Sequence, residues 1–248
     1  MDPTVTTLAE RPELAEELGN MPMAWPIFIG QDRSSRMFYE RIFVDFPEHV
    51  LVGTDDSGEL VAQALSVPFA LSAPDRGTLP PGGWDEVMLW AFHDRWAGRK
   101  PDTVSMIAIL VNARHRGRGL ATTMLAALRD NVRKQGFGQL VAPLRPVGKL
   151  REPDTPMIEY AFRTGDDGLP TDPWIRVHVR AGAVIDSVAP TSMVVVGSLG
   201  QWRDWTGQSF AVDGAVRVPG TLAPVRCDLA ADHGVYVEPN VWVRHRLG

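Results

Sequence analysis

The stretch from residue 103 to residue 143 limits the fold of this chain more than any other feature. Thr103–Asn112 contains the apolar run VSMIAILV, which predicts a strand buried on both faces of a sheet. Gly119–Lys134 places apolar residues at helical spacing and is followed by Gly136, a residue type that commonly ends helices. Gln139–Pro143 predicts a second strand, parallel to the first, so the stretch forms a βαβ unit. We therefore expect an α/β domain built around this unit.

The segments before this unit predict further strands and helices, and the sequence has no internal repeat or low-complexity segment. Strands are predicted at Thr4–Ala9, His49–Thr54 and Glu59–Pro68, the last two joined as a hairpin. Helices are predicted at Pro12–Leu18, Arg33–Phe46 and Trp84–Ala97.

The composition excludes several classes of protein. With 248 residues and 44% hydrophobic side chains, the chain can bury a large core, which argues against disorder. The 30 acidic and 25 basic side chains give a net charge of −5, so a general attraction to nucleic acid or to an anionic membrane is not expected. Any polyanion must be bound by a local cluster of positive charge.

The single cysteine, Cys227, excludes an internal disulfide and a multi-cysteine zinc site. His233 and His245 lack metal-ligand spacing to any nearby Cys, Asp or His, and we expect no metal. The first residues lack the features of a signal peptide, and no apolar run approaches the roughly 18 to 20 residues that span a bilayer. The protein is therefore expected to be cytoplasmic and not membrane-bound.

The turn between the buried strand and the helix, Arg114–Ala121, has the composition of an anion-binding site. Its glycines let the backbone approach an anion closely, and the free N–H groups of the first helical turn bind phosphate. Arg114, Arg116 and Arg118 add positive charge to an acidic chain. A solvated basic loop is the alternative, whereas the P-loop and Rossmann glycine spacings are absent.

Val111–Ala121 resembles the acyl-CoA pyrophosphate motif of the GNAT superfamily, and the order of elements over roughly residues 4 to 190 is also similar. The resemblance implies a GNAT-like α/β fold, with a mixed central β-sheet, a βαβ acyl-CoA-binding core and helices on both faces. It also implies acetyl-CoA or another acyl-CoA as co-substrate. Ile109, Leu110 and Val111 would then pair with the pantetheine arm. The residues assigned to the pyrophosphate are Arg114, Arg116, Gly117, Arg118, Gly119, Leu120, Ala121 and Thr122.

The same resemblance suggests two candidate catalytic residues. The family places a tyrosine four residues before a helix-ending glycine, where it protonates the departing CoA thiolate. Here His178 precedes Gly182 by that spacing, within a segment whose Asp172 and Pro173 suit a helix start. The alternation of apolar and polar residues also fits a strand, and a packed histidine is an alternative to a catalyst. Tyr160, in the predicted short helix Pro156–Arg163, is the second candidate.

The attacking amine must lose a proton, and the source of the base is open at this point. Many family members have a glutamate on the central strand, but residues 104–111 contain no carboxylate. Glu159, Asp85, Glu86 and Glu238 remain as candidates, as does a bound water.

We expect a single domain spanning residues 1–248, with a C-terminal β-rich extension at about residues 191–248. Strands are predicted at Ala183–Val188, Ser192–Val196 and Val235–Arg246, the last interrupted by Pro239. The aromatic residues of this part either line an acceptor pocket or fill a thin β-layer. They are Trp202, Trp205, Tyr236 and Trp242.

The predicted function is transfer of an acetyl or other acyl group from CoA to an amine of a small-molecule acceptor. One alternative is a non-catalytic acyl-CoA-binding sensor. Another is a transferase that uses a carrier-protein or aminoacyl-tRNA donor, with Arg129, Arg133, Lys134, Lys149 and Arg151 as a basic edge. Nucleic acid is an expected partner only in the tRNA case, and a homodimer is a further expectation from the resemblance.

Overall fold

The computed structural model describes residues 3–22 and 25–248, and within them nine strands form one sheet. The strands are β1 (Thr4–Thr7), β2 (Val50–Thr54), β3 (Leu60–Phe69), β4 (Thr103–Val111), β5 (Gln139–Leu144), β6 (Val184–Gly197), β7 (Gly214–Val216), β8 (Val225–Asp228) and β9 (His233–Arg246). The α-helices are α1 (Ala15–Gly19), α2 (Arg33–Phe38), α3 (Arg41–Asp45), α4 (Gly83–Trp96), α5 (Leu120–Lys134), α6 (Met157–Ala161), α7 (Pro173–Arg180) and α8 (Leu199–Thr206).

The strand order is β1-β2-β3-β4-β5-β9-β8-β7, and β6 pairs with β9 outside this path. β4 and β5 are parallel, and every other pair is antiparallel. The parallel pair flanks α5, as the βαβ pattern predicts.

Two hydrophobic cores lie on opposite faces of the sheet, because successive side chains of a strand point to opposite sides. In β2, Val50 and Val52 belong to the core that packs α1–α4 and α8, whereas Leu51 belongs to the core that packs α5–α7. The predicted mixed sheet with helices on both faces is confirmed.

The segment predicted as one helix, Arg33–Phe46, forms two short helices, α2 and α3. Between them, Ile42 N–H donates to Tyr39 O and Phe43 N–H donates to Glu40 O, both at 3.2 Å. These bonds span three residues instead of four and tighten the turn. Apolar periodicity is insensitive to such a local tightening, so the prediction of one continuous helix was wrong.

The strands of the C-terminal part are longer than predicted, and they belong to the main sheet. β6 runs through both predicted strands, with irregularities between Ile185 and Ser187 and between Ala189 and Met193. Pro239 of β9 faces the second irregularity, where no residue of β6 pairs with it. The missing N–H of proline therefore costs no ladder bond, and β9 continues. Through its pairing with β5, β9 places residues beyond 191 next to the βαβ unit.

The segment Asp172–Gly182, for which a strand was the alternative, contains helix α7. The Asp172 carboxylate accepts hydrogen bonds from the N–H groups of Trp174 at 2.9 Å and Ile175 at 3.1 Å. This cap and Pro173 at the first helical position outweigh the alternating pattern.

Candidate active site

The two parallel strands of the βαβ unit separate along their length and leave an opening in the sheet. Val104 pairs with Leu140 and Ser105 with Val141, and the pairing stops there. β5 instead remains paired with β9 as far as Leu144. The edge of β4 from Met106 onward therefore has no strand partner on the β5 side, so its backbone can bond to a linear ligand.

A β-bulge marks the start of this opening. Leu65 of β3 faces Ala108, and Ser66 faces Met106, which leaves Ile107 as the extra residue of β4. The indole N–H of Trp84 donates to the Ile107 carbonyl at 3.2 Å. Helix α4, which carries Trp84, thus fixes the bulge from one side of the sheet.

The opening leads into a cavity of about 410 Å³. Its wall is mostly apolar, and the polar side chains in it among the described residues are Arg116, Arg145, Glu238 and Asn240. The apolar wall includes Pro22, Trp25, Ile29, Trp84, Met106, Ile107, Ala108, Ile109, Leu110, Val111, Ala121, Pro143, Leu144, Val147, Leu150, Trp174 and Met193. A largely apolar pocket with a few converging polar groups is the usual form of a small-molecule site.

The predicted anion-binding turn lies at one end of this cavity, where Arg116 and Ala121 line the wall. Gly117 and Gly119 have φ values of +77° and +78°, and a Cβ on either would meet no atom within 4 Å. The N–H groups of Thr122 and Thr123 donate to Gly119 O, whereas no described backbone carbonyl accepts from the amides of residues 117 to 121. These open amides stand at the N-terminus of α5, where the helix dipole favours negative charge.

The sequence-predicted residues of this end are therefore adjacent in space. Ile109, Leu110 and Val111 line the cavity together with Arg116 and Ala121. The other turn residues, Arg114, Gly117, Arg118, Gly119 and Thr122, are exposed beside them, and Leu120 is buried beneath the turn.

Arg145 and Glu238 form the polar end of the cavity. Arg145 follows the last residue of β5, and its Nε donates to Glu238 Oε2 at 2.9 Å and Oε1 at 3.1 Å. Its Nη2 also donates to Gly220 O. The Arg145 side chain is 22% exposed, whereas Glu238 is fully buried behind it. A buried carboxylate requires such a partner, since burial of an isolated charge is costly.

A chain of hydrogen bonds holds Glu238 in place. Tyr236 O–H donates to Glu238 Oε2 at 2.7 Å, and Asn240 Nδ2 donates to Oε1 at 3.1 Å. Ser192 O–H donates to Asn240 Oδ1 at 2.6 Å and accepts from Trp84 N–H at 2.8 Å. The network joins α4, β6 and β9, so Glu238 is held rigidly.

Two further carboxylates lie near the cavity but do not line it. Asp32 and Asp85 are neighbouring carboxylates, and Asp85 accepts from Val194 N–H at 3.1 Å. Burial first, and then the neighbouring Asp32 carboxylate, raise the pKa of Asp85 to about 8, and burial raises the pKa of Asp32. At neutral pH the pair therefore retains a proton.

The structure places His178 inside the core between α7 and β9, and its ring does not line the described wall of the cavity. Its Nδ1 lies 3.0 Å from His245 Nε2. Burial, and then the neighbouring His245, lower the pKa of His178 to about 3, so the ring is neutral near pH 7. Trp174, one turn earlier on α7, lines the cavity instead.

Tyr160 also lies outside the described wall. Its hydroxyl donates to Asp172 Oδ2 at 2.9 Å, and the same oxygen accepts from Gly148 N–H at 2.7 Å. Burial, and then the bond to Asp172, raise the pKa of Tyr160. Through Asp172, Tyr160 ties α6 and the loop after β5 to the start of α7.

The C-terminal aromatic residues fill the core. Trp202, Tyr236 and Trp242 are fully buried, and none of them lines the cavity, whose indole rings come from Trp25, Trp84 and Trp174. The alternative of a filled β-layer is the one that the structure supports for these residues. Trp205 packs at the edge of that layer, against Trp202.

Sequence reasoning missed Arg145 and Asn240 and left Glu238 as one of several candidate bases. Among the candidates, Glu238 lines the cavity, whereas Glu159 is exposed on α6 and Glu86 bonds to Gly82 N–H. Two signals were present in the sequence. Arg145 directly follows a buried strand, and Glu238 and Asn240 are polar residues between the apolar runs VYV and VWV of β9.

Membrane spans and metal sites are two further features that the described residues could contain. No helix in them is long and apolar enough to cross a membrane. Residues 3–22 and 25–248 also contain no group of three or more His, Cys, Asp or Glu side chains placed to hold a metal ion.

Comparison with known proteins agrees with this geometry. The family model for GNAT acetyltransferases matches residues 15–146. The arginine N-acetyltransferase avaD of Aspergillus versicolor is 31% identical over 276 residues, which cover 98% of this chain and 94% of that protein.

Two solved structures show a similar fold over nearly the whole chain. The loading GNATL domain of CurA from Lyngbya majuscula has a TM-score of 0.61 at 16% identity, covering 98% of this chain and 97% of that domain. The GphF GNAT-like decarboxylase, solved with isobutyryl-CoA, has a TM-score of 0.59 at 17% identity, covering 99% of this chain and 100% of that one. The chain therefore belongs to the GNAT acetyltransferase family and is an enzyme that transfers an acyl group to an amine.

Proposed function

We propose that the protein is an acyl-CoA-dependent N-acetyltransferase whose acceptor is arginine or a closely related amine that carries a guanidinium group. The observation that carries this proposal is a single cavity with two chemically different ends. Open amides and Arg116 lie at one end, and the Arg145–Glu238 pair lies at the other. An anionic donor and a small charged acceptor need such ends, with the reacting atoms between them.

The residues of the first end fit an acyl-CoA. Pyrophosphate requires several N–H donors and positive charge, which the amides of residues 117 to 121 and Arg114, Arg116 and Arg118 supply. The unpaired edge of β4, which includes Ile109–Val111, suits the amide groups of pantetheine. The bound donor supplies the activated acyl thioester. Acetyl is our choice of acyl group because the relative avaD is named an N-acetyltransferase.

The acceptor is assigned from the same relative and from the charge of this chain. The relative avaD is named an arginine N-acetyltransferase, and its alignment covers 98% of this chain, which supports arginine as the acceptor. The net charge of −5 agrees with a cationic substrate.

The reaction forms a C–N bond and breaks the C–S bond of the thioester. An ammonium acceptor must lose a proton before its nitrogen can attack. Glu238 is the carboxylate in the described wall, and since it lies behind Arg145, it takes this proton through one water. The thiolate that leaves takes up a proton. The family resemblance names His178 and Tyr160 as its donors, but neither lines the described wall, so a water in the cavity supplies this proton.

Product analysis tests the proposal. The protein is incubated with acetyl-CoA and L-arginine, thiol release is followed, and the product is identified by mass spectrometry. We expect N-acetylarginine, with slower or no product from L-lysine and spermidine, which lack the guanidinium group. Acetylation of those amines at equal rates would contradict the acceptor assignment. A faster reaction with isobutyryl-CoA would contradict the acetyl assignment.

A further inference from the structure

Arg145 has more hydrogen-bonding capacity than its protein contacts use. A guanidinium carries five N–H donors in a planar fork. The bonds of Arg145 to the described residues use Nε, toward Glu238, and Nη2, toward Gly220 O. Its Nη1 group has no hydrogen-bond partner among residues 3–22 and 25–248.

The side chain is held in one orientation and still reaches the cavity. Glu238 and Gly220 fix the plane of the guanidinium from two sides, and 22% of the side chain is exposed. Arg145 also belongs to the cavity wall. A fixed, partly exposed arginine with spare donors in a mostly apolar pocket is suited to a carboxylate, which accepts two parallel N–H bonds.

The charges behind Arg145 match an α-amino acid. Such a molecule carries its ammonium and carboxylate groups on the same carbon. Arg145 presents positive charge at the cavity surface, and the Glu238 carboxylate lies within hydrogen-bond distance behind it, at 2.9 Å. Arg145 can therefore meet the ligand carboxylate directly, whereas Glu238, which has no exposed surface, reaches the ammonium group through one water.

We infer that Arg145 binds the α-carboxylate of the acceptor and makes the enzyme selective for an α-amino acid over the corresponding decarboxylated amine. This inference rests on the proposed function and adds to it the group that selects the acceptor. An amine without the carboxylate leaves the Arg145 donors facing an apolar wall without a partner, and this unpaired state is costly.

The first experiment uses the unchanged enzyme with three acceptors: L-arginine, L-arginine amide, and agmatine, which is L-arginine without its carboxyl group. All three keep an amine and the guanidinium group. We expect kcat/KM to be about 10- to 100-fold lower for the amide and for agmatine, as for loss of a hydrogen bond to a charged group. Isothermal titration in the presence of CoA should show the same order of binding.

The second experiment changes Arg145 to lysine, which keeps the charge opposite Glu238 but lacks the planar fork. We expect Arg145→Lys to reduce the ratio of kcat/KM for L-arginine over agmatine to within about threefold of one, because the bidentate contact supplies the discrimination. The matched control is Arg244→Lys. Arg244 is also paired with an aspartate, its side chain is 20% exposed, and it lies outside the described cavity wall.

The outcomes separate the inference from the proposed function. Equal kcat/KM for L-arginine and agmatine in the unchanged enzyme would overturn the role of Arg145 and leave the acceptor assignment intact. A merely structural Arg145 would lower activity toward both acceptors in Arg145→Lys without changing their ratio, which would also overturn it. Loss of the acetyl-CoA-induced shift in melting temperature in Arg145→Lys would assign the residue to the donor instead. Absence of turnover with every guanidine amine would contradict the proposed function itself.

Discussion

His178 Nδ1 lies 3.0 Å from His245 Nε2, so two imidazole rings join helix α7 to strand β9 inside the core. One ring nitrogen donates and the other accepts, which requires both rings to be neutral or only one to be charged. His178 Nε2 and His245 Nδ1 are buried and have no hydrogen-bond partner among the described residues. The Ala181 backbone favours the charged form of His245, but burial, the largest cause for both rings, opposes added positive charge on the pair.

We predict that this pair makes stability depend on pH below about 6.5. Burial is the main cause that lowers the pKa of His178 to about 3 and that of His245 to about 4, and the Arg129 charge also lowers the latter. The unfolded chain binds protons below about pH 6.5, and the folded chain does not, so stability is complete above that pH and falls as pH falls. At pH 5 each ring should lower the free energy of unfolding by about 2 kcal/mol relative to its value above pH 6.5.

Urea unfolding of the unchanged protein and of His178→Gln, at pH 7.5 and pH 5, measures this effect. Glutamine does not titrate, so the variant should lose about 2 kcal/mol less than the unchanged protein between the two pH values. The same loss in both proteins would show that His178 does not carry the effect. Because the ring lies outside the described wall, kcat at pH 7.5 should change less than about tenfold, below the range for a general acid.

Glu238→Gln should lower kcat/KM by about 100-fold or more at neutral pH, because the amide cannot accept a proton from the attacking amine. Glutamine keeps an oxygen that accepts from Arg145 and Tyr236, so the network around residue 238 is retained in part. Steady-state kinetics with acetyl-CoA and L-arginine provide the measurement, and the shift in melting temperature with CoA verifies the fold.

Glu159→Gln is the matched control for this prediction, since Glu159 is exposed on α6 and outside the described wall. It should leave kcat/KM unchanged within about twofold, as surface substitutions usually do. Retention of activity in Glu238→Gln together with its loss in Asp85→Asn would assign the base to Asp85, whose pKa of about 8 also suits that role.

Gly117→Glu should abolish stabilisation by acyl-CoA, because it places a carboxylate where the pyrophosphate is proposed to bind. In the unchanged protein, acetyl-CoA at about 100 times its Kd should raise the free energy of unfolding by about 2.7 kcal/mol, which raises Tm by roughly 5 to 10 °C. The φ of +77° at Gly117 also strains any other residue, so Gly98→Glu, at a φ of +63° with open space around it, controls for that strain. Equal Tm shifts in the two variants would contradict the assignment of the turn.

The parts of the fold that were predicted from sequence depend on local patterns. The turn at Arg114–Ala121 was located because a buried strand, two glycines and an amphipathic helix follow one another without interruption. Helix α7 was preferred over a strand because Asp172 and Pro173 are strong start signals in adjacent positions. Such features can be predicted from local sequence, because the turn residues, the helix start signals and the apolar pattern all favour the same structure.

The polar end of the site could not be predicted in the same way. Arg145 and Glu238 are 93 residues apart in sequence and meet only because β5 pairs with β9. No local pattern encodes that pairing, and the interruption expected at Pro239 gave no indication that β9 continues past Glu238. The buried His178–His245 contact has the same origin, because His245 lies on β9 and faces Leu140 of β5.

Tyr160→Phe should lower stability with little effect on chemistry. The hydroxyl donates to Asp172 Oδ2 at 2.9 Å, and Asp172 is itself buried. Loss of the Tyr160 hydroxyl should therefore lower the free energy of unfolding by about 2 kcal/mol, or roughly 4 to 8 °C in Tm. The control is Tyr39→Phe, because Tyr39 O–H is buried without a hydrogen-bond partner among the described residues, and its loss should be neutral or stabilising. A fall in kcat of about 100-fold in Tyr160→Phe, with Tm unchanged, would instead identify Tyr160 as the proton donor to the thiolate.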